Sequence, residues 1–167
     1  MLTIEDGSGS NPNADSYATA EQFASRAEAY GWTIPDGVAA QEVLLRRAAE
    51  AMNALRWKGQ KAYAGQPLAW PRTDAEVDGE ILPDTLIPAA IQYGQMALAA
   101  EIHGDDLSPP EMRQGPVKRE KVDVLEVEYA EVKNDGRLMR AAPSRPSQVQ
   151  FMDYLQQRGA FLRAIRA

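Results

Sequence analysis

The chain has 167 residues, of which 44% are hydrophobic and 25% charged, with a net charge of −6; this suits one globular domain with appendages and excludes global disorder. It has no cysteine and one histidine, His103, which excludes disulfide frameworks, thiolate metal sites and cysteine nucleophiles, and leaves any Ser-His-Asp triad dependent on a single residue. No apolar run reaches bilayer-spanning length, and residues 1–6 lack the basic start and apolar centre of a secretory leader, so synthesis in the cytoplasm without membrane association is expected.

Leu2, Thr3 and Ile4 read as a short strand, ended by the breaker-rich run Asp6-Gly7-Ser8-Gly9-Ser10-Asn11-Pro12-Asn13. That glycine loop is not followed by Gly-Lys-Ser/Thr and so is no phosphate-binding P-loop. Thr19 and Gln22 stand in capping-box spacing, Phe23, Ala27 and Tyr30 recur at helical spacing, and Gly31 is placed to stop a first helix. A second helix is predicted over 38–57, with Leu45, Ala48, Met52 and Leu55 as its buried stripe.

Next comes Arg56-Trp57-Lys58-Gly59, then Gln66-Pro67-Leu68-Ala69-Trp70-Pro71-Arg72. A Gly- and Pro-punctuated loop has no regular element to hold two tryptophans, so tertiary contacts must. Residues 73–85 form an acidic link. Asp74, Glu76, Asp78 and Glu80 lack the ligand order and glycine spacing of a calcium loop and are read as solvated. Pro88 opens a third helix with Ile91, Leu98 and Ile102 buried, ending near His103-Gly104, and Asp105 and Asp106 are expected to solvate the loop beyond.

Residues 105–116 read as a linker. Val122 and Val124 alternate in one phase and Leu125, Val127 and Tyr129 in the other, which predicts a strand with a bulge near Val124-Leu125, paired with the N-terminal strand or another subunit. Asn134-Asp135-Gly136 is a turn signal and residues 141–146 a Pro-bearing linker. A terminal helix is expected to start at Ser147 and Gln150 in capping-box spacing, with Met152, Leu155, Leu162 and Ile165 on one stripe. Beyond Lys133, Asp135 and Asp153 face Arg137, Arg140, Arg145, Arg158, Arg163 and Arg166. A basic tail on an acidic body suits docking on an acidic surface or nucleic acid, or a solvated terminus.

No catalytic, cofactor-binding or metal-binding constellation emerges, and the chain is read as no enzyme. Arg56, Trp57, Lys58, Lys61, Tyr63, Trp70 and Arg72 do combine cations with aromatics, as single-strand binders require. The alternative, favoured by the net acidity, is that Trp57 and Trp70 are packed anchors.

The two tryptophan blocks closely resemble the RWxG…Q-x-L-x-W-P-R signature of a family of long-tailed phage head-tail adaptor proteins, also labelled DnaT-like single-stranded-DNA-binding proteins. Further blocks carry the resemblance in the same order: Ile4-Glu5-Asp6-Gly7, Asn13-Ala14-Asp15-Ser16-Tyr17, Ile87-Pro88, Val117-Lys118-Arg119-Glu120-Lys121-Val122 and Val127-Glu128-Tyr129. In that family Arg56, Trp57, Gly59, Leu68, Trp70, Pro71 and Arg72 would be signature residues. The resemblance implies a mainly α fold, a small helical bundle with a short β appendage. It also implies a homo-oligomeric ring, dodecameric, in the virion neck, that docks on the portal protein, meets a tail-side connector and passes DNA through its channel without sequence-specific contact. A DnaT-like single-stranded-DNA-binding primosome module is the alternative.

The expected organisation is a helical body with its N-terminal strand over 1–113, a β appendage over 114–135, and a linker with an extended, amphipathic, basic C-terminal arm over 136–167. The arm is the expected portal-docking element, through Phe151, Met152, Leu155, Arg158, Leu162, Arg163, Ile165 and Arg166. Packing of the same stripe on its own body is the alternative.

Overall fold

A computed structural model describes residues 1–107, 120–122, 125–127 and 145–156. The fold is mainly α. In chain order come α1 (Ala20–Tyr30), α2 (Val38–Asn53), β1 (Gln60–Lys61), β2 (Arg72–Thr73), β3 (Glu76–Val77), β4 (Glu80–Ile81), α3 (Ala89–Leu107), β5 (Glu120–Val122), β6 (Leu125–Val127) and α4 (Pro146–Phe151), which runs into a 3-10 turn (Met152–Tyr154). The strands form three antiparallel two-stranded ribbons, β1 with β2, β3 with β4 and β5 with β6. Among the described residues no helix is long and apolar enough to cross a membrane.

Helix α1 starts and stops where its sequence says. The Thr19 hydroxyl accepts the Gln22 amide and the Gln22 side chain accepts the Thr19 amide, closing a capping box, while Gly31 caps the end in the left-handed conformation. Phe23 and Ala27 are buried, but Tyr30 is exposed. Helix α2 is shorter than the predicted 38–57. Its Met52 carbonyl, in the last turn, accepts the Trp57 indole N–H at 2.8 Å besides the Leu55 amide at 3.1 Å, and the chain leaves the helix with that ring turned inward. Leu45, Ala48 and Met52 are buried as expected, and Leu55 is exposed.

Helix α3 runs through His103-Gly104, past the expected stop. Glycine in a helix interior costs about 1 kcal/mol relative to alanine, and exposed ion pairs tie the added turn to its neighbours. Arg47 holds Asp106 at 2.5 Å, and Arg145 holds Asp105 at 2.9 Å. Hydrogen bonding to Arg47 draws the Asp106 carboxyl below its ordinary range. The two aspartates therefore lie on the helix and do not solvate a loop.

Two strand predictions are corrected. The acidic link contains the β3–β4 hairpin, which turns at Asp78-Gly79 with both residues at positive φ, a chemistry that Asp-Gly favours. The predicted bulged strand is a hairpin, with Val122 opposite Leu125 and Glu120 opposite Val127, so within the chain its segments pair with each other and not with the N-terminal strand. A change of alternation phase suits a chain reversal as well as a bulge. At the N-terminus only Ile4 forms a bridge, parallel to Ser16.

The core has two adjoining parts. Phe23, Leu44, Leu45, Ala48, Met96 and Ala99 fill the space where α1, α2 and α3 meet. Tyr17, Met52, Trp57, Leu68, Trp70, Ile91 and Phe151 form the other, beneath the tryptophan loop. Between them, the buried Gln95 side chain accepts the Tyr17 amide at 2.9 Å and donates to the Ser16 hydroxyl and the Leu45 carbonyl. Full pairing makes this buried amide a tie between the N-terminal segment, α2 and α3.

Candidate functional site: the tryptophan loop

Both signature tryptophans are buried, Trp57 to 3% exposure and Trp70 to 0%. Their rings meet edge to face with centroids 6.0 Å apart, Trp57 meets Phe151 the same way at 5.2 Å, and Trp70 meets Tyr154 at 5.7 Å. Such pairs add about 0.5–1.5 kcal/mol each beyond area burial. A base cannot stack on rings whose faces and edges are already occupied.

The polar groups of the signature are turned inward as well. The Arg72 guanidinium donates to the carbonyls of Lys58 at 2.7 Å, Gly59 at 2.7 Å and Ala69 at 2.9 Å, locking the two blocks together. Burial pulls its pKa down, although an arginine in this setting stays charged. The buried Gln66 side chain donates to the Leu68 and Pro71 carbonyls and accepts the Tyr63 amide. Gly59 has φ +67, and a Cβ there would strike the Thr73 carbonyl, so only glycine suits the position. Leu68 and Pro71 are buried, and the Trp70–Pro71 peptide is cis. Arg56 remains exposed with Lys61 and with Tyr63, the last at 55%.

The loop also holds the C-terminal segment. Lys58 donates its amide to the Tyr154 carbonyl and Gln156 donates to that of Arg56, both at 2.9 Å, flanking a bridge between Trp57 and Leu155. Phe151 lies so close to Gly94 of α3 that a Cβ there would enter its ring. The buried Ser147 donates through amide and hydroxyl to the Glu101 carboxylate at 2.9 and 2.8 Å, and the Gln148 side chain accepts the Arg145 amide. The predicted Ser147/Gln150 start is thus replaced by a start at Pro146, with Glu101 of α3 meeting the first-turn donors.

The residues expected to dock on a partner therefore divide. Phe151 is core, Leu155 is half-buried against Trp57, and Met152 is exposed. Arg158, Leu162, Arg163, Ile165 and Arg166 lie outside the described residues. Residues 145–156 pack on the body through Phe151, Tyr154 and Leu155.

The N-terminal blocks are structural too. Asp15 accepts the Thr3 amide and the Arg46 guanidinium, at 2.7 and 2.6 Å. One oxygen of the buried Glu5 carboxylate accepts the Gly7 and Gly9 amides at 3.0 and 2.9 Å. The glycine loop thus wraps a carboxyl group, but it is the chain's own side chain. Sequence reasoning missed Gln95, whose signal was an uncharged amide among the apolar residues of α3. Among the described residues no group of three or more His, Asp and Glu is placed to hold a metal ion.

A family model described as "Putative DnaT-like ssDNA binding protein" matches residues 1–167. No curated protein and no solved structure matches the chain.

Proposed function

We propose, from the resemblance of its tryptophan blocks to those of phage head-tail adaptors, that this chain, a member of the DnaT-like ssDNA-binding family, is a non-catalytic structural subunit of a phage head-tail connector. It would assemble as a ring in the virion neck, dock on the portal, meet the tail-side connector and continue the DNA channel. The observation that carries this reading is the burial of the signature. Trp57 and Trp70 bury their rings in the fold, and Trp57, Gln66 and Arg72 spend their side-chain donors on backbone carbonyls, as expected of a scaffold that presents other surfaces to partners. The net charge of −6 supports it as well, because a channel dense in cations would hold sliding DNA, whereas carboxylates repel phosphates.

The family description favours a second reading, a single-stranded-DNA-binding module, and the exposed Arg56, Lys61 and Tyr63 are the groups of the loop that could serve it. Mixing the purified chain with the portal protein from the same genome separates the two. The connector reading expects a monomer or weak oligomer that forms a ring on the portal, seen as a stepwise rise in scattered mass. A chain that ignores the portal but binds single-stranded oligonucleotides with a steep salt dependence belongs to the second reading.

A further inference from the structure

Away from the tryptophan loop, a groove of about 520 Å3 runs between α1 and α3 and continues into an apolar recess of about 230 Å3 walled by Trp32, Ala97 and Val149. Arg26 stands where the two join. Its guanidinium carbon is 3.8 Å from the Tyr93 ring centroid and 4.5 Å from that of Tyr30, which packs on Trp32 at 5.3 Å. Unlike the loop tryptophans these rings are open, Tyr30 at 60% and Tyr93 at 39% exposure. The Arg26 Nε is buried without a hydrogen-bond partner, and among the described residues no carboxylate lies within ion-pair distance of the side chain. Open tyrosines around an uncompensated arginine have the composition of an interface hot spot.

The β3–β4 hairpin is complementary to it. Glu76 lies directly opposite Ile81 across the ribbon, so both side chains project from one face. Both are exposed, Ile81 at 69%, and residues 73–87 contain no lysine or arginine. An isolated apolar side chain beside a carboxylate matches an apolar recess beside an isolated guanidinium. We infer that the β3–β4 hairpin of one copy docks in the Arg26 groove of the next, with Ile81 in the recess and Glu76 on Arg26. Groove and hairpin share no residue, so the contact is head-to-tail and propagates to a ring when its rotation closes. One cation, with Glu21 also lining the groove, suits a carboxylate better than a phosphate chain, which needs several cations. The inference rests on the connector reading for the ring's role, although the contact can be tested without it.

The absence of native cysteine makes the test specific. A full-length chain carrying both Ile81→Cys and Val149→Cys, oxidised at high concentration, is expected to give a ladder of disulfide-linked oligomers, and a mixture of the two single variants a dimer only. Arg26→Glu should reduce ladder formation at least about tenfold, and Arg26→Glu with Glu76→Arg should restore it. Thermal melting checks that each variant is folded, and Tyr93→Ala is a second groove variant if Arg26→Glu is not. Ladders no stronger than those from Ile81→Cys with Glu50→Cys, or ladders indifferent to Arg26→Glu and Tyr93→Ala, overturn the contact. So does quenching of Trp32 by an oligonucleotide that is lost in Tyr93→Ala, since it puts nucleic acid in the groove. If portal-bound rings form equally from wild type and from groove variants, the contact falls and the connector reading stands. If the ladders behave as expected but portal recruits nothing, the connector reading falls and the contact stands.

Discussion

Tyr17 and Trp70, 53 residues apart, are joined by a single hydrogen bond in which the Trp70 amide donates to the phenol oxygen at 2.9 Å. Tyr17 also gives its own backbone amide to Gln95, so the N-terminal block, α3 and the second tryptophan block meet at one buried residue. Tyr17→Phe keeps the ring and strands the Trp70 amide, a buried donor. The expected loss is about 1–3 kcal/mol in urea unfolding, with secondary structure unchanged by circular dichroism.

The same phenol makes stability depend on alkaline pH. Burial pushes its pKa far above the ordinary 10.0, outweighing the Trp70 amide, which acts the other way. Above that ordinary value the unfolded chain has released the proton while the folded chain keeps it, so the unfolded state binds fewer protons and stability falls as pH rises. Below it both states are protonated and the Tyr17 contribution is constant. Urea midpoints should therefore decline more steeply in wild type than in Tyr17→Phe between about pH 9.5 and pH 11. Parallel declines would show that another group titrates.

Arg72 bonds three carbonyls from two separate blocks. Arg72→Ala strands them and should cost about 3 kcal/mol or more, since hydrogen bonds to a charged donor are worth about 1.5–3 kcal/mol each. Arg72→Lys should recover little, because an ammonium cannot present a planar fork to three acceptors. A lysine variant as stable as wild type in chemical unfolding would refute the clamp.

Residues 145–156 close the aromatic core, so two truncations should behave differently. Ending the chain after Gln156 retains the Phe151 and Tyr154 contacts and should leave the melting temperature nearly unchanged. Ending it before Arg145 removes both rings, and Phe151→Ala alone should cost about 3–5 kcal/mol. If only the shorter product melts early, residues 157–167 are dispensable to the fold and free to be assayed separately for portal binding.

The helices were legible because their signals are local. Thr19, Gln22 and Gly31 fix α1 with contacts inside a few residues, and the stripe Leu45, Ala48 and Met52 is buried as its period requires. The ends set by particular side-chain contacts were not legible. Helix α2 stops early for the Trp57 indole, and α3 continues for Arg47 and Arg145, none of which periodicity can report. The tryptophan loop was legible as a held loop, but not its clamp, since nothing in the spacing of Arg72 says that it reaches back to Lys58 and Gly59. The groove around Arg26 was invisible because Tyr30 reads as an apolar position of α1 and Tyr93 carries no motif; only the packing of α1 on α3 brings them to one cation.

The most direct test of whether the signature is scaffold or base-stacking platform is a fluorescence titration of Trp32→Phe, which leaves Trp57 and Trp70 as the only indoles. With single-stranded oligonucleotide added at low salt, the emission should stay unchanged and remain shielded from acrylamide, because both rings are at or below 3% exposure. Quenching that grows with oligonucleotide and disappears at high salt would place bases on those rings and contradict the account.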